Sequence, residues 1–204
     1  MNVHGYAGTG GRRDLLYDAV KGKILWNSEY GESDPSGMTL ATCLTMDFIY
    51  LHNTAWVYWQ VLDGSNWGLI NTDVGSQIIY TVNPKYYVLA QFTRHIRPGF
   101  TIINGGTDLN TVAAYDKTSK KLVIITTNAK TPQTITYNLD QFTITDGTVT
   151  RWVTNTEDGG DKYVRYQELA PPRSSFSCDF TANTIITFEL EGVSLKTDVK
   201  EVSK

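Results

Sequence analysis

Histidine, cysteine and positive charge are all scarce in this sequence, and each shortage removes a class of function. Eighteen Lys and Arg against 21 Asp and Glu leave a net charge of -3 over 204 residues. That gives no basic field for nucleic acid or an anionic lipid surface, and neither partner is expected. No apolar run approaches the roughly 20 residues of a bilayer-spanning helix, so no membrane insertion is expected either. His4, His52 and His95 have no ligand-like spacing to one another or to a cysteine, which leaves metal chemistry unsupported, and no cofactor is expected. His52 and His95 fall near expected helix ends and read as structural. The two cysteines, Cys43 and Cys178, are far apart in sequence. Cys178 lies in the alternating run "SFSCDF", on one strand face with Phe176 and Phe180, and both thiols are read as buried and free. The opening "MNVHGYAGTGG" has no charged segment followed by an apolar one, so no signal peptide is read there.

What is present changes character near Pro98. Before it, short apolar runs alternate with helical patterns: "NVHGY", then "RRDLLYDAV" stopped by Gly22, then "ILWNSE", then Gly37 to Leu51, then "AWVYWQV", then Pro84 to Ile96. Leu40, Ala41, Leu44, Phe48 and Leu51 recur at helical spacing, as do Val88, Leu89, Phe92 and Ile96. Strands alternating with helices imply parallel pairing with right-handed crossovers, so residues 1–98 read as part of an α/β sheet or barrel. Beyond Pro98 the helical period disappears. "TVAAYD", "KLVIITTN", "QTITYNL", "TVTRWVTN", "KYVRYQEL", "SFSCDF" and "TIITFEL" are separated by turn signals at the intervals of an antiparallel β-sandwich over 99–192. Residues 193–204 read as a polar tail.

The glycine-rich loop "GYAGTGGRRD" follows a strand and opens a helix, where a phosphate loop would sit, but its spacing matches neither G-x-G-x-x-G nor G-x-x-x-x-G-K-[ST]. It reads as an ordinary strand-to-helix loop. The carboxyl ends of the three strands are richer. They carry His4 and Tyr6, then Glu29 and Tyr30, then Tyr58, Trp59 and Gln60, with Trp67 in the loop beyond. Functional groups gather at such ends in parallel α/β folds. One carboxylate among aromatic rings and amides suits a sugar, whose apolar face stacks on a ring while its hydroxyls need donors and acceptors. The plainer reading is that the tryptophans are core and Glu29 pairs with a neighbouring arginine.

At this point the residues carry a resemblance. "NVHGY", "LWNSEYGESDPSGMTLA", "AWVYWQVLDGSNWGLI" and "YYVLAQFTRHIRPGF", in that order and followed by a β-rich segment, resemble the C-terminal portion of glycoside hydrolase family 30, in its endo-β-1,6-galactanase branch. The resemblance runs to about Gly192. It implies α/β plus all-β architecture: strands six to eight of a (β/α)8 barrel, followed by a β-sandwich. It also implies retaining hydrolysis of a β-galactan-like oligo- or polysaccharide, with an extracellular location. By the same resemblance Glu29 matches the nucleophile, His4 and Tyr6 would flank it with Tyr6 donating to it, and Tyr30, Trp59 and Trp67 would contact the sugar.

The family's acid/base is a glutamate following asparagine on the fourth barrel strand, and no Asn-Glu pair occurs in these residues. Glu32 and Asp34, just beyond Glu29, are not recruited in its place. The expectation is half an active site, inactive alone and completed by a missing N-terminal half. The competing expectation is a non-catalytic carbohydrate-binding or scaffold module, with Trp152 and Tyr163 as the aromatic candidates in the β-rich half.

Overall fold

The computed structural model describes residues 1–106, 109–145, 148–169 and 174–196, and for 167–169 the backbone only. The chain divides into two compact units, Met1–Leu89 and Ala90–Lys204, and the division falls inside a helix, Pro84–Thr93.

In the first unit β1 (Asn2–His4), β2 (Trp26–Tyr30) and β3 (Ala55–Tyr58) form a parallel sheet in chain order, as the alternation of apolar runs and helical patterns implies. Among the described residues β1 and β3 each pair with β2 alone. The crossovers are α1 (Arg13–Ala19) and α2 (Met38–Met46). The expected helix from Gly37 to Leu51 is present, but its last stretch, Asp47–Leu51, widens into a π-turn ended by His52 in the left-handed conformation. Leu40, Ala41, Cys43 and Leu44 are buried along α2, the face its helical spacing marks out. Between β3 and α3 (Pro84–Thr93) lies a sheet the sequence reading missed: β4 (Leu62–Asp63), β5 (Ile70–Asp73) and β6 (Ile78–Val82). Every residue of β6 is exposed, so burial imposes no alternation that could be read from its sequence.

β2 contains one more residue than either neighbour at the same level. Val3 and His4 pair with Asn27 and Glu29, skipping Ser28, while Trp56 and Tyr58 pair with Asn27 and Tyr30. Strict alternation would put Glu29 on the face of the fully buried Asn27. The extra residue resets the alternation, so Tyr30 returns to the packed side and Glu29 is released from it.

In the second unit six antiparallel strands follow the order β13-β12-β15-β9-β8-β7. They are β7 (Thr101–Ile103), β8 (Thr111–Asp116), β9 (Lys121–Asn128), β12 (Val149–Asn155), β13 (Val164–Leu169) and β15 (Thr184–Leu190). Two further ladders pair β10 (Gln133–Asn138) with β14 (Ser175–Phe180), and β11 (Phe142–Ile144) with β16 (Val193–Leu195). All seven segments read as strands are strands; β7, β11 and β16 were not read. β16 corrects part of the expected tail, because Val193 is buried in the core and its carbonyl accepts from Tyr115 Oη at 3.0 Å. Residues 197–204 of that tail, and residues 170–173 between the segments "KYVRYQEL" and "SFSCDF", lie outside the described residues. Tyr137 of β10 and Phe176 of β14 meet Phe188 of β15 with ring centroids 5.2 and 5.1 Å away. Each such ring contributes roughly 1.5–3 kcal/mol by leaving water. Phe176, Cys178 and Phe180 share the buried face of β14, and both cysteines are buried and free.

His95, just after α3, is fixed inside this unit. Its Nδ1 lies 2.7 Å from Glu189 Oε1 and its Nε2 2.7 Å from Tyr163 Oη. Burial by itself would raise the Glu189 carboxyl, but the hydrogen bond from His95 and the nearby Lys121 outweigh it and hold the group below its ordinary 4.5. A depressed carboxyl stabilises the fold above that ordinary value and ceases to do so as pH falls through the folded value. Wild type is therefore expected to exceed Glu189→Gln by about 1.5–3 kcal/mol at neutral pH. The gap should close as pH drops below 4.5. Urea titrations at stepped pH check this, and a gap that stays constant down to acid pH refutes it.

Candidate active site

The bulge in β2 sets Glu29 at the carboxyl end of the parallel sheet. Its backbone is pinned there by Gly5, whose N–H donates to the Glu29 carbonyl at 2.7 Å. A Cβ at Gly5 would come within 2.5 Å of Asn27 Nδ2, so only glycine lets β1 continue this close to β2. Tyr6 Oη then donates to Glu29 Oε1 at 2.7 Å. His4 stands beside the pair, with Nδ1 3.7 Å from the same oxygen and its ring edge-on to Tyr6 at 6.2 Å. Partial desolvation, and then the bond to Glu29 and its charge, raise the Tyr6 phenol above its ordinary 10.0, so at neutral pH it remains a donor. A carboxylate with one oxygen held this way has the other free to act on a ligand. Among the described residues no arginine pairs with it, contrary to the plainer sequence reading.

Trp59 and Trp67 are 49% and 36% exposed, as a sugar platform requires. Gly31 lies between them: a Cβ there would meet the Trp59 carbonyl at 2.3 Å and the Trp67 ring at 3.0 Å. Trp67 is thereby in close packing with the residue two places after Glu29.

Tyr30 is a correction. Expected among the sugar-contacting side chains, it is buried, with its ring against Trp56 at 5.4 Å and Tyr58 at 6.3 Å. Burial drives its phenol far above the ordinary value, and it packs the sheet against α2.

Glu32 and Asp34 are committed to the loop that follows. Glu32 accepts from the Asp34 amide through one oxygen and faces Lys85 Nζ at 3.4 Å with the other. Asp34 accepts from the Ser36 amide at 2.8 Å, the Ser36 hydroxyl at 2.6 Å and the Thr39 amide at 3.1 Å, so it caps the start of α2. Burial opposes charging in both. In Asp34 those hydrogen bonds win and its carboxyl is lowered; in Glu32 burial wins over Lys85 and its carboxyl is raised.

The glycine-rich loop offers no anion cradle. Its Arg13 turns inward, donating to the carbonyls of Gly8 and Gly10 at 2.5 and 2.8 Å and to Asp47 Oδ1 at 2.6 Å. Among the described residues no cluster of three His, Cys, Asp or Glu side chains is placed to hold a metal ion. No helix among them is long and apolar enough to cross a membrane. In the second unit, Trp152 has His95 at 4.6 Å from its ring centre and Arg165 at 5.7 Å. Tyr163 is bonded to His95 and has Arg94 over its ring at 5.2 Å. Both rings are half-buried, and each has an arginine over it.

A carboxylate at the end of a parallel strand is thus held by a tyrosine and followed by two exposed tryptophans. The structure is similar to a glycoside hydrolase family 30 endoxylanase from Clostridium papyrosolvens C71, with a TM-score of 0.68 and 22% identity over 87% of this chain and 44% of that one. It is equally similar to a family 30 subfamily 8 xylanase from Clostridium acetobutylicum, with a TM-score of 0.70 and 21% identity over 89% of this chain and 46% of that one.

In sequence the chain is 47% identical, over 201 residues, to an endo-β-1,6-galactanase from Hypocrea rufa. That similarity covers 96% of this chain and 42% of the galactanase, so the chain spans about two fifths of that relative's length. The endo-β-1,6-galactanase resemblance carried by the four ordered motifs is thus met across nearly the whole chain. No family model matches the sequence.

Proposed function

We propose that these residues are the nucleophile-bearing part of a retaining glycoside hydrolase acting on β-1,6-galactan outside the cell. In this reading β1, β2 and β3 are strands six to eight of a (β/α)8 barrel, and the second unit is its companion β-sandwich. The observation that carries it is the Tyr6–Glu29 hydrogen bond of 2.7 Å at the bulged carboxyl end of β2. The 47% identity with an endo-β-1,6-galactanase supports the choice of substrate.

Glu29 attacks the anomeric carbon and forms a glycosyl ester. A second carboxyl, roughly 5–5.5 Å away in retaining enzymes, protonates the departing oxygen and later activates water to release the sugar. Tyr6 holds one Glu29 oxygen so that the other faces the sugar, and His4 borders the same oxygen. Trp59 and Trp67 stack on the apolar faces of the galactose units. The second carboxyl comes from a segment outside these 204 residues, which also supplies the remaining barrel strands.

The test is covalent trapping. A 2-deoxy-2-fluoro-galactosyl fluoride carries its own good leaving group and so needs little acid assistance. Incubation is expected to add one fluorogalactosyl mass, slowly, on the peptide containing Glu29, and Glu29→Gln is expected to abolish the adduct. An adduct elsewhere, or none on the folded protein, refutes the assignment.

A further inference from the structure

Lys85, at the second position of α3, is completely buried. A charge removed from water costs several kcal/mol and persists only where its donors are well matched. Its ammonium has three donors and four oxygens around it: the carbonyls of Glu32 and Asn66 at 2.7 Å each, Tyr58 Oη at 3.1 Å and Glu32 Oε1 at 3.4 Å. Tyr58 Oη in turn donates a hydrogen bond to the Trp67 carbonyl at 2.7 Å. Lys85 therefore holds the carbonyl of Asn66 directly and that of Trp67 through Tyr58. It also holds the backbone of Glu32, three residues after Glu29.

The turn it grips is strained. Ser65 and Asn66 both have positive φ, 52° and 63°, without being glycine. Such backbone persists only where its surroundings over-determine it. Beyond Lys85, the turn is held by the Asn71 side chain, which accepts from the Asn66 amide at 3.0 Å and donates to Asn66 Oδ1 at 2.8 Å. Trp67 follows directly, its ring against Gly31.

We propose that Lys85 is a positioning residue: it locks the strained Ser65–Asn66 turn to the end of β2 and so fixes the Trp67 ring relative to Glu29. It touches no substrate. Its burial lowers its own affinity for a proton, with Glu32 opposing that loss. This inference rests on the reading of Glu29 as nucleophile and Trp67 as a sugar platform, and it assigns the cation that couples them. Because Tyr6, in the loop after β1, holds Glu29 independently of Lys85, loss of Lys85 should weaken sugar binding and leave the attacking group in place.

The test pairs Lys85→Met, close in shape, with Tyr58→Phe, which deletes only the relay oxygen and serves if the first variant does not fold. With 2-deoxy-2-fluoro-galactosyl fluoride as the probe, the half-saturating concentration for labelling Glu29 is expected to rise about tenfold in Lys85→Met and less in Tyr58→Phe. The limiting labelling rate should stay within about threefold. Amide exchange at residues 64–68 and 31–33 should accelerate in both variants, with β1 unchanged. Unaltered saturation and exchange overturn the proposal, and so does a fall in limiting rate at constant half-saturation, which would put Lys85 on Glu29 instead. If the unsubstituted protein is not labelled at all, the catalytic reading fails by itself. The exchange at 64–68 then decides the clamp: acceleration in the variants supports it and unchanged exchange overturns it.

Discussion

Offered β-1,6-galactan, the 204 residues on their own are expected to release no detectable sugar. A natural glycoside leaves as an alkoxide unless a carboxylic acid protonates it, and losing that assistance forfeits about 10² to 10⁴ in rate. Among the described residues Glu29 is the one carboxylate bonded to Tyr6. Glu32 is tied to Lys85 and the Asp34 amide, and Asp34 to the start of α2. Chromatography of the polysaccharide after long incubation measures the loss. Adding a separately expressed segment that carries the other strands and an Asn-Glu pair is expected to restore turnover. Robust hydrolysis without it would overturn the half-site reading and point to Glu32, whose raised pKa suits an acid; Glu32→Gln would then abolish the activity.

The parts of this site that were legible in the sequence are those whose position follows from chain order. Strand ends in a parallel sheet collect on one side, so His4, Tyr6, Glu29 and Trp59 could be grouped before any coordinates, and the Tyr6–Glu29 bond is present as expected. The bulge was not legible, because one extra residue in β2 changes no composition or period. That one residue also decides Tyr30, which strict alternation sends to the open side with Ser28 and the structure sends to the core. Lys85 gave no signal either. Beside Pro84 at the start of an amphipathic helix it reads as a solvated charge, and only the convergence of carbonyls from residues 32 and 66 makes it a buried one. In the second unit the longer strands were readable, whether buried almost throughout, as β8, β9 and β15 are, or alternating, as β14 is. The three-residue strands β7, β11 and β16 were not, since three residues carry too little periodicity to register.

Arg13 and Asp47 teach the same lesson and support the prediction with the largest effect on stability. In the sequence they look like surface charge on two helices; in the structure the Asp47 side chain is 2% exposed. Its Oδ1 accepts from Arg13 Nε at 2.6 Å, and its Oδ2 from Asn27 Nδ2 at 2.7 Å and Trp56 Nε1 at 2.8 Å. One carboxylate thus joins α1, β2, β3 and the π-turn. Asp47→Ala would leave a buried guanidinium without its counter-charge and two further donors unpaired. Breaking a buried pair from one side costs about 3–5 kcal/mol, against a total stability of about 5–15 kcal/mol for a typical domain.

Four of the five tryptophans, at 26, 56, 59 and 67, lie in Met1–Leu89. Their emission during a urea titration therefore reports the first unit, and its midpoint is expected to collapse toward zero denaturant. The double substitution Arg13→Met with Asp47→Leu should recover much of the loss, because it removes both charges, although Asn27 and Trp56 stay unpaired. It should not recover Glu29 labelling. Arg13 also holds the carbonyls of Gly8 and Gly10, in the loop that begins at Tyr6, so a refolded sheet would still carry a loosened tyrosine. A stability change under about 1 kcal/mol in Asp47→Ala would mean that water reaches this carboxylate and that the network is not what holds the three strands together.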